Sequence, residues 1–125
     1  MGFFNSLRAA ARVFTSPRMN AMRLNNLEPD EVADLLAKNE ILLIDVREPA
    51  EYAAAHIKGA VLVPLSQFDP HSLPDPDGRR IVFHCGVGGR SAKAVAVCQD
   101  VGVAIDSHMK GGIQAWVATG LPVER

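Results

Sequence analysis

Seven consecutive residues, Cys85-Gly86-Val87-Gly88-Gly89-Arg90-Ser91, bring together a thiol, three glycines, a fixed cation and a hydroxyl. A cysteine becomes a useful nucleophile when its surroundings favour the thiolate. Glycines allow the backbone to turn with positive φ, so that successive N–H groups converge on one point and form an anion-binding concavity. An apolar helix pattern starts directly afterwards, and the positive end of that helix adds to the same field. A cysteine at the mouth of such a cup has a lowered pKa. The cup that steadies a thiolate also steadies whatever anion forms on that sulfur. Arg90 closes the ring with a permanent charge for a bound anion, and Ser91 is placed to cap the helix. The pattern reads as nucleophilic cysteine chemistry and leaves open whether the group handled is sulfur or phosphate.

The second thiol is different. Cys98 shares a helical face with Ala94, Val97 and Val101, while Lys93 and Asp100 point away, which predicts core packing. The spacing of the two cysteines fits neither a zinc pattern nor a disulfide framework, so both are expected as reduced thiols. The chain of 125 residues has a net charge of −1, and nothing in that balance draws the whole molecule to nucleic acid or to a membrane surface. The charge is nevertheless uneven. Between Gly78 and Gln99 every charged side chain is basic (Arg79, Arg80, Arg90, Lys93), which suits an anion near Cys85.

These residues must be held by alternating elements. Pro29 opens a helix with a Val32, Leu35, Leu36 stripe ending near Asn39. The run Ile41–Val46 reads as a strand buried on both faces. Pro49 opens a short helix to about Ala55, Ala60–Pro64 is a second strand, and Asp69–Gly78 is a surface loop. Arg80–His84 is the next buried strand, followed by the glycine loop and a helix from Ser91 to about Val101. Val103–Asp106 reads as the last strand. A final helix carrying Ile113 and Trp116 follows Gly111 and Gly112 and stops at Gly120 and Pro122; Trp116 reads as core. Strands alternating with helices imply an α/β fold, a mainly parallel sheet covered on both faces. Ligands of such sheets bind at the carboxyl ends of strands, where Cys85 lies.

Three segments in this order resemble the rhodanese-like domain family. "LLIDVREPAEYAAAHIKGAVLVP" is similar to its Asp-Val-Arg, Glu-Tyr and His-Ile-x-Gly-Ala segment, "CGVGGRS" to its C-x-x-G-x-R-S loop, and "MKGGIQAWVATGLPV" to its closing Gly-Gly, Trp and Gly-x-Pro signature. The resemblance implies a three-layer fold with a sheet of about five strands. It also implies a single-domain sulfurtransferase that takes the outer sulfur of a donor such as thiosulfate and passes it to a thiol or cyanide. Cys85 is then the persulfide carrier, and the amides of Gly86, Val87, Gly88, Gly89 and Arg90 cradle the outer sulfur, with Ser91 beside them. Asp45, Arg47 and Glu51 border the loop, and Asp45 or Glu51 is expected to orient Arg90 or Arg47; a purely structural ion pair fits the same residues. No metal or cofactor is implied, and a low-pKa thiolate requires no histidine. His56 reads as a structural hydrogen-bonding residue and His84 as the end of its strand. The chain departs from the family at Gly86, where thiosulfate enzymes often carry a basic residue, at Ala55 in place of Gly, and at Leu62 in place of Asn.

Two other readings stand beside this one. The loop also resembles that of cysteine-dependent phosphatases and arsenate reductases with one residue missing, and the shorter ring suits one sulfur atom better than a phosphate. A sulfur-carrier or regulatory module serving a protein partner fits the same cysteine. Expected partners are small sulfur donors and acceptors, or a protein acceptor, with no nucleic acid and no transmembrane segment, and the expected state is a monomer or weak dimer. Residues 1–20 read as a cationic amphipathic segment (Asn5, Arg8 and Arg12 opposite Phe3, Phe4, Leu7, Ala11 and Phe14) preceding a domain at residues 21–125. A cytoplasmic location is expected. That segment leaves mitochondrial or membrane-peripheral alternatives, and Gly2 and Ser6 fit a myristoylation pattern.

Overall fold

The computed structural model describes residues 22–125; the segment expected over residues 1–20 and the Gly2 pattern lie outside the described residues. Five strands, β1 (Asn25–Leu27), β2 (Ile41–Asp45), β3 (Val61–Leu62), β4 (Arg80–His84) and β5 (Ser107–Met109), form one sheet in the order β1-β5-β4-β2-β3. Every pairing is parallel. Helices α1 (Pro29–Ala37), α2 (Pro49–Ala54), α3 (Gly89–Asp100) and α4 (Gly112–Ala118) run between and after the strands.

The alternation of side chains along the strands divides the core in two. Ile41, Leu43, Val82 and Met109 pack with Val32 of α1 and Trp116 of α4 on one face. Leu42, Ile44 and Phe83 pack with Ala94, Val95 and Cys98 of α3 on the other, and Cys85 belongs to this second cluster. β2 is buried at every position, as a central strand covered on both sides must be. Both short helices that start at a proline are closed by a glutamate three residues beyond the cap. Glu31 accepts from the Glu28 N–H at 2.9 Å, and Glu51 accepts from the Glu48 N–H at 3.0 Å.

The last strand is not Val103–Asp106. The Val103 N–H returns to Cys98 O at 2.8 Å and the Ile105 N–H bonds Val103 O at 2.9 Å, so this run uses its amides locally. Val103 and Ile105 still pack on the α3 cluster, which accounts for the apolar pattern. The ladder is made instead by Ser107–Met109, paired with the unanticipated strand β1 through Asn25↔Ser107, Asn26↔His108 and Leu27↔Met109. The strand expected over Ala60–Pro64 shortens to Val61–Leu62, and the loop after it contains a 3-10 turn at Pro70–Ser72.

Candidate active site

Cys85 follows the last residue of β4, and the loop from Gly86 to Gly88 carries the chain from that strand into α3. The capping position of α3 is Gly88, not Ser91: its φ of 115° is open to glycine and strained for any other residue. Ser91 lies inside the first turn, fully buried, with Oγ 3.6 Å from Cys85 Sγ, 3.1 Å from Gly88 O and 2.8 Å from His108 Nδ1.

The thiol occupies the floor of the cup rather than its mouth, with Cys85 only 1% exposed. The Gly88 N–H donates to Sγ at 3.1 Å. Burial alone would raise the thiol pKa. The Ser91 hydroxyl and the amides of Ser91, Gly88 and Val87 outweigh it and hold the thiol below its ordinary value. Val87, the residue at the turn of the loop, is 64% exposed and marks the rim. A Cβ on Gly86 would stand 3.1 Å from the Arg90 guanidinium, so a side chain there would press on that group.

The carbonyls of the loop are turned away and held. The Ile113 N–H donates to Cys85 O at 2.9 Å and the Gln114 N–H to Gly86 O at 3.1 Å. The chain enters α4 through Gly111 and Gly112, both at positive φ, and Gly112 lies directly against the backbone of Cys85 and Gly86. A second glycine pair, distant in sequence, therefore fixes the orientation of the first loop.

The acids and arginines bordering the loop sort into two separate pairs. Glu51 grips Arg90 through two bonds of 2.7 and 2.9 Å. Asp45, fully buried, accepts from the Arg47 Nε at 3.0 Å, its Nη2 at 2.8 Å and its main-chain N–H at 3.0 Å, and the same Nη2 donates to Ala55 O at 2.7 Å. Arg90 thus shares its charge with Glu51 instead of standing free at the ring. His84 is buried beside Asp45, with Nε2 3.5 Å from Asp45 Oδ2 and Nδ1 3.2 Å from Cys85 O. Burial outweighs the neighbouring carboxylate and keeps this imidazole pKa below its ordinary value. His56 lies away from these groups, stacked on Tyr52 at 4.0 Å and bridged to Glu124. Trp116 covers the sheet and donates to Pro122 O at 2.8 Å.

The Arg90 bonds hold the Glu51 carboxyl down to about 2 against burial, with help from the Glu48 amide. A carboxylate depressed on folding stabilises the protein fully above the unfolded value, here 4.5. That stabilisation is lost as pH falls toward 2. Carbon NMR of the Glu51 carboxyl is expected to show no titration between pH 7 and 4. The two thiols differ in their surroundings. Burial without donors pushes Cys98 up to about 11, so iodoacetamide at pH 7.5 is expected to label Cys85 well ahead of Cys98, as read by peptide mass.

His108 carries no signal in the sequence, because nothing local connects it to Cys85. Only the pairing of β5 beside β4 and the packing of α3 bring it to Ser91. Among the described residues no group of three or more His, Cys, Asp or Glu stands ready to hold a metal, and no helix is long and apolar enough to cross a membrane.

The rhodanese-like domain profile matches residues 28–119. A protein named Sulfurtransferase from Allochromatium vinosum is 33% identical over 101 residues, covering 80% of this chain and 94% of its own length. An uncharacterised Synechocystis protein, slr1261, is 35% identical over 77% of this chain, and the chain spans 54% of its length. The probable adenylyltransferase/sulfurtransferase MoeZ of Mycobacterium tuberculosis is 36% identical over 99 residues, which make up 25% of its length. Among solved structures, thiosulfate sulfurtransferase from Pseudomonas aeruginosa is 32% identical with a TM-score of 0.66, covering 82% of this chain and 19% of that one.

Proposed function

This chain belongs to the rhodanese-like domain family, and on that premise we propose that it transfers sulfane sulfur through a persulfide on Cys85. The thiolate attacks the outer sulfur of a donor such as thiosulfate. The bond between that sulfur and the donor breaks, and the electron pair leaves with sulfite. The outer sulfur, now on Cys85, carries negative charge and is steadied by the loop amides of Gly86 through Arg90. A thiolate or cyanide acceptor then removes it, and Cys85 leaves as thiolate. Both steps are displacements at sulfur in which no net oxidation occurs, so no metal or redox cofactor enters the cycle.

The observation that carries this reading is the Gly88 N–H directed at Sγ on the floor of a ring whose carbonyls are fixed outward. The sulfurtransferase names of similar proteins point the same way. Arg90 contributes less to anion binding than a free arginine would, since Glu51 takes both of its terminal nitrogens. A phosphoryl group needs an arginine with its terminal nitrogens free for the phosphate oxygens and a wider loop, and both terminal nitrogens of Arg90 are bonded to Glu51. Steady-state assays separate the classes. Thiocyanate formed from thiosulfate and cyanide supports the proposal, and hydrolysis of an aryl phosphate without thiocyanate overturns it. Sulfur uptake with slow release to cyanide identifies a carrier that serves a protein acceptor, the role that a segment spanning a quarter of a longer relative suggests.

A further inference from the structure

The active loop is connected to a histidine that the sulfur cycle above does not use. His108 sits in the middle of β5, 4% exposed, on the sheet face covered by α3. Its Nδ1 lies 2.8 Å from Ser91 Oγ, and its Nε2 lies 2.7 Å from Asn26 Oδ1 on the edge strand β1. Ser91 Oγ in turn stands 3.6 Å from Cys85 Sγ. A polar side chain this deeply buried is retained when its partners satisfy it, and both ring nitrogens of His108 have one.

The donors along this chain run in one direction. The Asn26 oxygen accepts, so His108 Nε2 carries hydrogen and Nδ1 offers its lone pair. With Nδ1 as acceptor, the Ser91 hydroxyl, which also lies 3.1 Å from Gly88 O, donates to Nδ1 across the shorter 2.8 Å contact, and its oxygen accepts from the thiol. We propose that His108 is a positioning residue for sulfur transfer, taking the Cys85 proton through Ser91 when the thiolate forms and returning it afterwards. The S–H proton passes to Ser91 Oγ while the Ser91 hydrogen passes to His108 Nδ1, giving thiolate, serine and imidazolium. Nδ1–H then donates to Ser91, which turns its own hydrogen toward the thiolate. When the acceptor removes the outer sulfur and Cys85 leaves as thiolate, the proton returns by the same route.

The surroundings favour this use. Burial keeps the His108 pKa below its ordinary value, so the resting ring is neutral, and the thiolate formed beyond Ser91 supplies the charge that holds a proton on the ring against that burial. The charged groups touching its strand, Arg80 and Asp106, meet at Ser107 on the opposite face. Lys110, beyond the strand, is 3.9 Å from Glu28. Around the ring itself stand Ser91, Asn26 and the Gly88 backbone, none of them titratable, and Cys85 is the one titratable group reached through Ser91.

The inference rests on Cys85 being the reactive group, and its test does not depend on sulfur transfer, so the two ideas can fail separately. The rate of Cys85 alkylation by iodoacetamide is measured against pH in the full chain and in His108→Asn and His108→Leu. Asparagine keeps an acceptor for Ser91 and cannot take a proton. Both variants are expected to move the alkylation midpoint up by about one pH unit, so that labelling at pH 7 slows about tenfold while the plateau at high pH is unchanged. An unchanged midpoint in a folded His108→Asn protein overturns the proposal. Should neither variant fold, the wild-type ring decides. The NMR titration midpoint of His108 is expected to fall once Cys85 is carbamidomethylated, because the thiolate charge is gone, and identical curves before and after overturn the proposal.

Discussion

Gly112→Ala is expected to destabilise the protein by about 2–4 kcal/mol and to raise the midpoint of Cys85 ionisation in whatever remains folded. A Cβ at this position would lie well inside contact distance of Cys85 O and of the Gly86 carbonyl carbon and oxygen. All three are backbone atoms, so no flexible side chain can move aside. The φ of 62° adds the left-handed penalty that every residue except glycine pays. Relief requires the active loop to move away from α4, which breaks the bonds from Ile113 and Gln114 that hold its carbonyls outward. The amides then lose their common focus on Sγ. Urea unfolding together with the pH dependence of alkylation measures both effects, and a variant of wild-type stability with an unchanged thiol would show that α4 does not set the loop.

Asp45→Ala is expected to cost about 3–5 kcal/mol, the loss typical when one partner of a buried ion pair is removed. Arg47 is 6% exposed and would keep only its bond to Ala55 O, leaving most of a buried guanidinium uncompensated. His84, buried on the other side of Asp45, would lose its nearest carboxylate as well. Replacing Asp45 and Arg47 together by leucine and methionine is expected to recover part of the loss, since the unpaired charge goes with its partner. Because Glu51, not Asp45, holds Arg90, Asp45→Ala protein that still folds is expected to show the persulfide formation proposed for Cys85 at the wild-type level. Denaturant titration of the wild-type protein and the two variants reads the stability. A double variant as unstable as Asp45→Ala would mean that the cost does not come from the orphaned arginine.

The division between these two pairs shows where sequence alone stopped. Asp45, Arg47, Glu51 and Arg90 were all legible as loop neighbours from their motifs, but spacing could not say which acid takes which arginine. Their partition depends on α2 lying beside the first turn of α3, a long-range contact. The central strands were legible because Ile41–Asp45 and Arg80–His84 are continuous apolar runs next to turn residues. β5 was not. Ser107 and His108 are polar residues whose bonds go to Arg80, Asn25, Ser91 and Asn26, so the strand has no hydrophobic alternation, while the apolar Val103–Asp106 nearby imitates one. β1, an Asn-Asn-Leu segment, exists only because β5 is there to pair with it. Ser91 followed the usual serine preference at helix starts, and the positive φ required at that point gave the place to Gly88 instead.

Persulfide formation on Cys85 is read from the intact mass of the reduced protein after exposure to thiosulfate, before any acceptor is added. A gain of one sulfur atom is expected, located on the peptide containing Cys85, reversed by excess thiol and absent from a folded Cys85→Ser variant. No gain in the wild-type chain, or the same gain in the variant, would contradict it.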